Sequence, residues 1–154
     1  MRFEMIFDHP EHRATVAQWM YDEFCKEDRP SVSYEDMMQK LGSRTRSFPY
    51  TFLALEGDVA VGSVTLYEND LKGEDLSPWM GSLVVAPEFR GMGYGRELIA
   101  FIRGFAKGKG YDKLYLRTEH TAQYYEALGW RFVKHTTDPV YNLECDVYEW
   151  ILED

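Results

Sequence analysis

Between Glu88 and Ile99 the chain reads EFRGMGYGRELI, with Gly91, Gly93 and Gly95 on alternate positions between an apolar run and an amphipathic one. Glycine suits places where the backbone bends with positive φ or comes close to another group. A turn of this kind opening a helix offers unpaired N–H groups and the positive end of the helix dipole, a ready site for an anion. Gly93 and Gly95 remove side chains that would hold a phosphate off the backbone, and Arg90 and Arg96 can add charge-assisted hydrogen bonds. Between Glu88 and Lys113 six basic residues face three acidic ones, in a chain whose net charge is −9. Such a local excess suits a small anionic ligand, and equally the solvated charges of a helix.

A second group of candidates lies downstream, in LYLRTEHTAQYYEALGW. Glu119 and His120 follow a strand-like run, and His120 has the better ordinary pKa for proton transfer. Either can equally serve as a helix N-cap, because Thr118, Glu119, His120 and Thr121 all precede a helical pattern. Tyr124 and Leu128 stand at i, i+4 and are expected on the core face of that helix. Tyr125, about 100° further round, is then freer to reach a cleft, although it also stands at i, i+3 from Leu128. Glu68 and Asp70 read as solvated loop charges, and Trp79 as an edge-of-core residue that can wall a binding site. His9, His12 and His135 have no ligand-spaced partners, so no metal site is expected.

The elements that must position these residues alternate in type. MRFEMIFD reads as a first strand, and Asp8 and Pro10 as a helix start. Val16, Trp19, Met20 and Phe24 mark one apolar helical face. Ser33 with Asp36 forms an approximate capping box for a second helix that stops at Gly42. YTFLALEGDVAVGSVTLYE is a hairpin turning at Gly57-Asp58, followed by a polar loop and the strand MGSLVVA. Leu98, Ile99, Ile102, Phe105 and Ala106 share a helical face after the glycine turn, and Gly108 and Gly110 end that helix. KLYLR is a strand and TAQYYEAL a short helix closed by Gly129; WRFVK and LECDVYEWIL are the last strands. The predicted order is β-α-α-β-β-β-α-β-α-β-β, a mixed α/β fold in a single domain over residues 1–154.

Three ligand classes can be weighed for the glycine turn. A dinucleotide fingerprint needs GxGxxG, and here the third position is Arg96; that turn also belongs directly after a first strand. A Walker A loop is excluded, since no Gly-Lys-Ser/Thr occurs. The third class keeps Arg90, Gly93 and Gly95 as R-x-x-G-x-G after LVVAPEF. With AQYYEALGW at its later spacing, SLVVAPEFRGMGYGRELIAFI resembles the central motif of the GNAT superfamily of N-acetyltransferases, and the element order matches along the whole chain.

That resemblance implies a mostly antiparallel, twisted sheet of about seven strands with four flanking helices, splayed at a cleft for acetyl-coenzyme A. It implies that the backbone of Leu83, Val84 and Val85 pairs with the pantetheine arm and that the Val85 N–H meets the oxyanion. Arg90, Gly91, Met92, Gly93, Tyr94, Gly95 and Arg96 would hold the pyrophosphate, and Tyr125 would act as general acid toward the leaving thiolate. Some relatives place a glutamate base within the later strand, where this chain has Tyr115, which leaves Glu119 and His120 as candidate bases, Glu68 and Asp70 as further ones, and a water relay as another route. The implied reaction is direct acetyl transfer to an amine of a small molecule or a protein, with no metal; a non-catalytic acyl-coenzyme A sensor of the same fold is the alternative.

The remaining composition narrows the setting. Apolar residues make up 45% and aromatics 16%, which excludes a disordered chain. The acidic balance disfavours nucleic acid as a partner and mildly favours a cationic acceptor. Apolar stretches fall short of a membrane span, and no signal-peptide pattern opens the sequence. Cys25 and Cys145 lack CxxC spacing, so neither a disulfide framework nor a zinc site is expected, and a cytoplasmic setting is. A monomer or homodimer is expected.

Overall fold

The computed structural model describes residues 1–153. Its seven strands are β1 (Arg2–Met5), β2 (Tyr50–Glu56), β3 (Val59–Tyr67), β4 (Trp79–Val85), β5 (Lys113–Thr118), β6 (Arg131–Asp138) and β7 (Leu143–Ile151). They form one sheet in the order β1-β2-β3-β4-β5-β7-β6. Every neighbouring pair is antiparallel except β4 and β5. The helices are α1 (Arg13–Met20), α2 (Tyr34–Gly42), α3 (Tyr94–Gly108) and α4 (Ala122–Ala127), in the order the sequence predicts. None of them is long and apolar enough to cross a membrane.

The sheet is covered on both faces, and β2 shows how. Successive side chains of a strand point to opposite faces. Phe52 and Ala54 join the core under α3, while Leu53 and Leu55 join the core under α1 and α2. Hence YTFLAL is buried throughout rather than alternating. The apolar stripe of α3 buries Leu98, Ile99, Ile102 and Ala106 against the sheet. Each buried Leu or Ile there contributes roughly 1.5–3 kcal/mol by leaving water.

Local signals hold at most boundaries. Gly57 turns the β2–β3 hairpin with φ +60°. Ser33 Oγ accepts from the Asp36 N–H at 3.0 Å and the Asp36 carboxylate accepts from the Ser33 N–H at 2.8 Å, a complete capping box. The N-terminal stretch differs. β1 stops at Met5, and two 3₁₀ turns, Ile6–Asp8 and Pro10–His12, precede α1. After α1 the chain widens into a π-helical turn, Tyr21–Cys25, closed by Lys26 N–H to the Tyr21 carbonyl at 2.9 Å. The wider turn breaks the 3.6-residue period. Phe24 therefore falls out of step with Val16, Trp19 and Met20; half-buried, it still packs against their core and also walls the clefts described next.

Candidate active site

β4 and β5 meet at one register pair, Trp79 opposite Tyr115, with the Tyr115 N–H donating to the Pro78 carbonyl at 3.0 Å. Beyond that point they part. The cause is local: Thr65 pairs with Gly81 and Ser63 with Val84, so β4 carries an extra residue against β3. Such a bulge bends its strand, and Ser82, at φ +51°, sits in it. Tyr67 and Ser82 share a hydroxyl–hydroxyl hydrogen bond of 2.8 Å across the bulge.

Past the bulge, Ala86 N–H donates to the Val61 carbonyl at 2.9 Å, toward β3. Polar groups alternate sides along a strand, so the N–H and carbonyl of Val85, and those of Leu83, face the gap. Val84, between them, turns its carbonyl toward Gly62 on β3. A cleft of about 430 Å³ fills this gap, walled by Leu83, Val84, Val85, Gly95, Leu116 and Tyr125 among others.

The glycine turn lies at one end of the cleft. Gly91 (φ +80°) and Gly93 (φ +87°) are both left-handed, and Gly93 is the N-cap of α3, with no side chain capping it. The first backbone bond of the helix runs from Glu97 N–H to the Gly93 carbonyl at 3.2 Å. The N–H groups of Tyr94, Gly95 and Arg96 thus precede the helical ladder. Met92 and Arg96 are exposed, and Tyr94 packs edge-on against Phe89. Arg90 spans the mouth, donating to the Val85 carbonyl and to Glu23 of the π-helical turn, each at 3.2 Å. Of the six basic residues between Glu88 and Lys113, Arg90 alone lines the cleft; Arg103 lies over Trp150 and Lys109 over Tyr50.

The two tyrosines exchange their expected places. Tyr125 is 9% exposed and belongs to the main core, while Tyr124 is 42% exposed. The core face of α4 is set by Trp130, whose ring meets Tyr125 edge-on, rather than by Leu128. Both tyrosines nevertheless line the cleft, with the Tyr124 hydroxyl beside Gly95. Burial, and to a lesser degree Tyr124 and Glu23, push the Tyr125 phenol well above its usual range.

At the other end a network of charges crosses the sheet. Arg29, between α1 and α2, donates to Glu119 at 2.8 Å. Arg117 Nη1 donates to Asp138 at 2.8 Å and to the Asp70 carbonyl at 3.3 Å. Arg117 Nη2 faces Glu119 at 3.5 Å without hydrogen-bond geometry, and its Nε is buried without a partner. His120 is exposed and hydrogen-bonded to Asp28 at 2.7 Å. Arg29, Arg117, Glu119, Gly81 and Ser82 also line a second cleft of about 250 Å³, which opens beside the first.

Asp70, expected as a solvated loop charge, is instead enclosed in that second cleft. A Cβ built on Gly81 would meet its Oδ2 at 2.8 Å, so the glycine makes room for the carboxylate. Burial raises the Asp70 carboxyl from its ordinary 3.8 to about 7, against the opposing pull of Arg117. The sequence offers Asp70 as a further candidate base but points to it more readily as a solvated charge, and it does not single out Arg29 or Arg117. Arg117 alone left a trace, as a charge inside an apolar strand.

Two further expectations change. Trp79 is fully buried, donates to the Leu76 carbonyl at 2.6 Å and lines neither cleft. His9, Glu11 and His12 bring ligand atoms within 4.8 Å of one another at the 3₁₀ turns, so two of the histidines are ligand-spaced after all; they lie outside both clefts. His135 is engaged by Glu144 and Asp146. Cys25 and Cys145 are both free and buried.

Solved structures share this architecture. An aminoglycoside 6'-N-acetyltransferase complexed with coenzyme A superposes with a TM-score of 0.78 at 13% identity, over 100% of this chain and 98% of that one. A ribosomal-protein-alanine N-acetyltransferase from Brucella melitensis gives 0.74 at 16% identity, over 98% and 99%. In sequence, N-alpha-acetyltransferase 80 of Mus musculus is 25% identical over 99 residues, 61% of this chain and 32% of that protein. The chain thus matches about a third of the length of that relative. The acetyltransferase (GNAT) family model matches residues 13–130, from α1 through the glycine turn to Trp130. A match that spans the whole first cleft and the four strands β2 to β5 places the chain in the acetyltransferase (GNAT) family.

Proposed function

We propose that this acetyltransferase carries the acetyl group of acetyl-coenzyme A to a primary amine within a ternary complex. The observation that carries the reading is the gap between β4 and β5, with Leu83 and Val85 backbone groups facing it and the uncapped N-terminus of α3 at its end. A pantetheine arm can pair with those groups as an added strand does. The N–H groups of residues 91–96 can receive the pyrophosphate, with Arg90 at the rim.

The chemistry makes three demands. The amine must lose a proton, since a lysine-like ammonium has a pKa of about 10.4. The tetrahedral oxyanion needs an aligned donor, and the Val85 N–H supplies it. The departing thiolate takes a proton from Tyr125. A phenol held above its usual range stays protonated but is a weaker acid, so its proton moves only as the negative charge of the thiolate develops beside it. The second proton of the attacking nitrogen then restores Tyr125. Glu119 and His120 line the same cleft, where they help to orient the amine.

The acceptor enters through the second cleft, which shares Gly81, Ser82, Arg117 and Glu119 with the first. Relatives named as N-acetyltransferases of aminoglycosides and of ribosomal-protein alanine act on amines, which supports that acceptor class. A panel of amines and peptides incubated with acetyl-coenzyme A tests the reading, scored by free thiol release and product mass. Thiol release matched by an acetylated product is expected. Binding of acetyl-coenzyme A without product across the panel would identify a sensor of the same fold.

A further inference from the structure

We infer that Asp70 is the group that removes the proton from the acceptor ammonium, an assignment that rests on the acetyl-transfer reading above. The position where some relatives carry a glutamate on the strand after α3 is Tyr115 here, and Tyr115 is packed against Trp79, away from both clefts. The chain supplies a carboxylate to the second cleft from the β3–β4 connection instead.

Three geometric facts single out Asp70. Its Oδ2 lies against Gly81, the residue beside the Ser82 bulge where β4 leaves β5, so it stands where the two clefts join. No hydrogen bond or ion pair among the described residues engages its carboxylate, whereas Glu119 is held by Arg29 and Arg117, and His120 by Asp28. Its backbone is fixed, because Arg117 clamps the Asp70 carbonyl while bound to Asp138.

The groups facing Asp70 come from every neighbouring element. Arg117 on β5 and Arg29 before α2 favour its charged form; Glu119 after β5 and Asp138 ending β6 oppose it. Tyr67 ends β3 beside it, and Lys40 and Lys72 stand at the rim of the same cleft. Arg29, Arg117, Glu119 and Asp138 already pair among themselves, so Asp70 is the charge left to meet an incoming cation. In the step, the acceptor ammonium gives one proton to the Asp70 carboxylate. The freed nitrogen lone pair attacks the thioester carbon, and the carbon–sulfur bond breaks with the Tyr125 proton passing to the thiolate. The proton shed by the nitrogen as the amide forms returns to Tyr125, and the Asp70 proton passes to solvent after the amide leaves. Arg117 is a positioning residue in this scheme, since it holds the loop and not the amine.

The test compares wild type with Asp70→Asn, at saturating acetyl-coenzyme A, on two primary amines: one with a pKa near 10 and one already neutral at the assay pH. For the basic amine kcat/KM should fall about 10²–10⁴-fold at pH 7, with its rising limb moved toward the pKa of the amine. For the neutral amine it should change little, and Asp70→Glu should restore part of the loss. Equal losses on both amines, or an unchanged pH profile for the basic one, would overturn the assignment. A reading without any acceptor keeps the idea exposed: the Asp70 carboxyl, followed by NMR as the difference between wild type and Asp70→Asn, should titrate near neutrality. Titration in the ordinary carboxylate range overturns it. Absence of acetyl-coenzyme A binding to wild type would instead sink the transferase reading.

Discussion

Two ionisable side chains, Asp70 and Tyr125, are both displaced upward by burial, and they stand at the two proton transfers of the proposed reaction. Tyr125→Phe removes only a proton that is needed late, so kcat should drop about 10²-fold or more while acetyl-coenzyme A affinity holds. Single-turnover kinetics and a binding isotherm check the split; unchanged chemistry would remove Tyr125 from the proton path. Asp70 carries a cost in stability. Its folded pKa lies above the unfolded value, so its favourable contribution is complete below about pH 4 and is lost as pH rises through about 7. A rise from 3.8 to about 7 corresponds to at most ~4 kcal/mol of charge burial. Asp70→Asn should therefore melt higher than wild type at pH 8 and converge with it near pH 4. A variant less stable than wild type at pH 8 would mean that the carboxylate is a structural partner instead.

At the scale of elements, the motifs bound to local backbone rules were legible and those made by tertiary packing were not. The Ser33–Asp36 cap, the Gly57 hairpin and the Gly91–Gly93 turn each depend on a few consecutive residues, and each was readable from the chain. The π-helical turn that re-aims Phe24 left no periodic signal, because one extra residue in a turn looks like noise in a stripe. Asp70 was misread for a related reason: a polar loop conceals a buried carboxylate until β4 and β5 enclose it. The α4 tyrosines were assigned by spacing to Leu128, when the ring of Trp130, beyond the helix, decides which tyrosine faces inward. The glycine turn gives the sharpest test at this scale. Gly93→Glu forces a side chain into φ +87° and sets a negative charge where the pyrophosphate is proposed to sit. The strain alone costs roughly 1–2 kcal/mol. Acetyl-coenzyme A should raise the melting temperature of wild type and leave that of Gly93→Glu unmoved. A shift that survives the substitution would relocate the phosphate site.

Across the whole molecule, the sheet is really two ladders, β1 to β4 and β5 to β6, that touch through Trp79 and Tyr115 and otherwise diverge. Helix α3 packs on both β4 and β5 across this parting and α1 packs on β4, but hydrogen bonding across it is sparse. The sheet thus has an open seam, and amides along its two margins should exchange faster than those inside either ladder. A ligand that laces the seam would act as a missing eighth strand and brace one panel to the other. Amide hydrogen exchange should report it as slowed exchange at Leu83 and Val85 with acetyl-coenzyme A bound, spreading to β5, and as little change at β1 or β6. Catalysis and cohesion would then share one stitch, and the protein should be hardest to unravel at the moment its cosubstrate is in place.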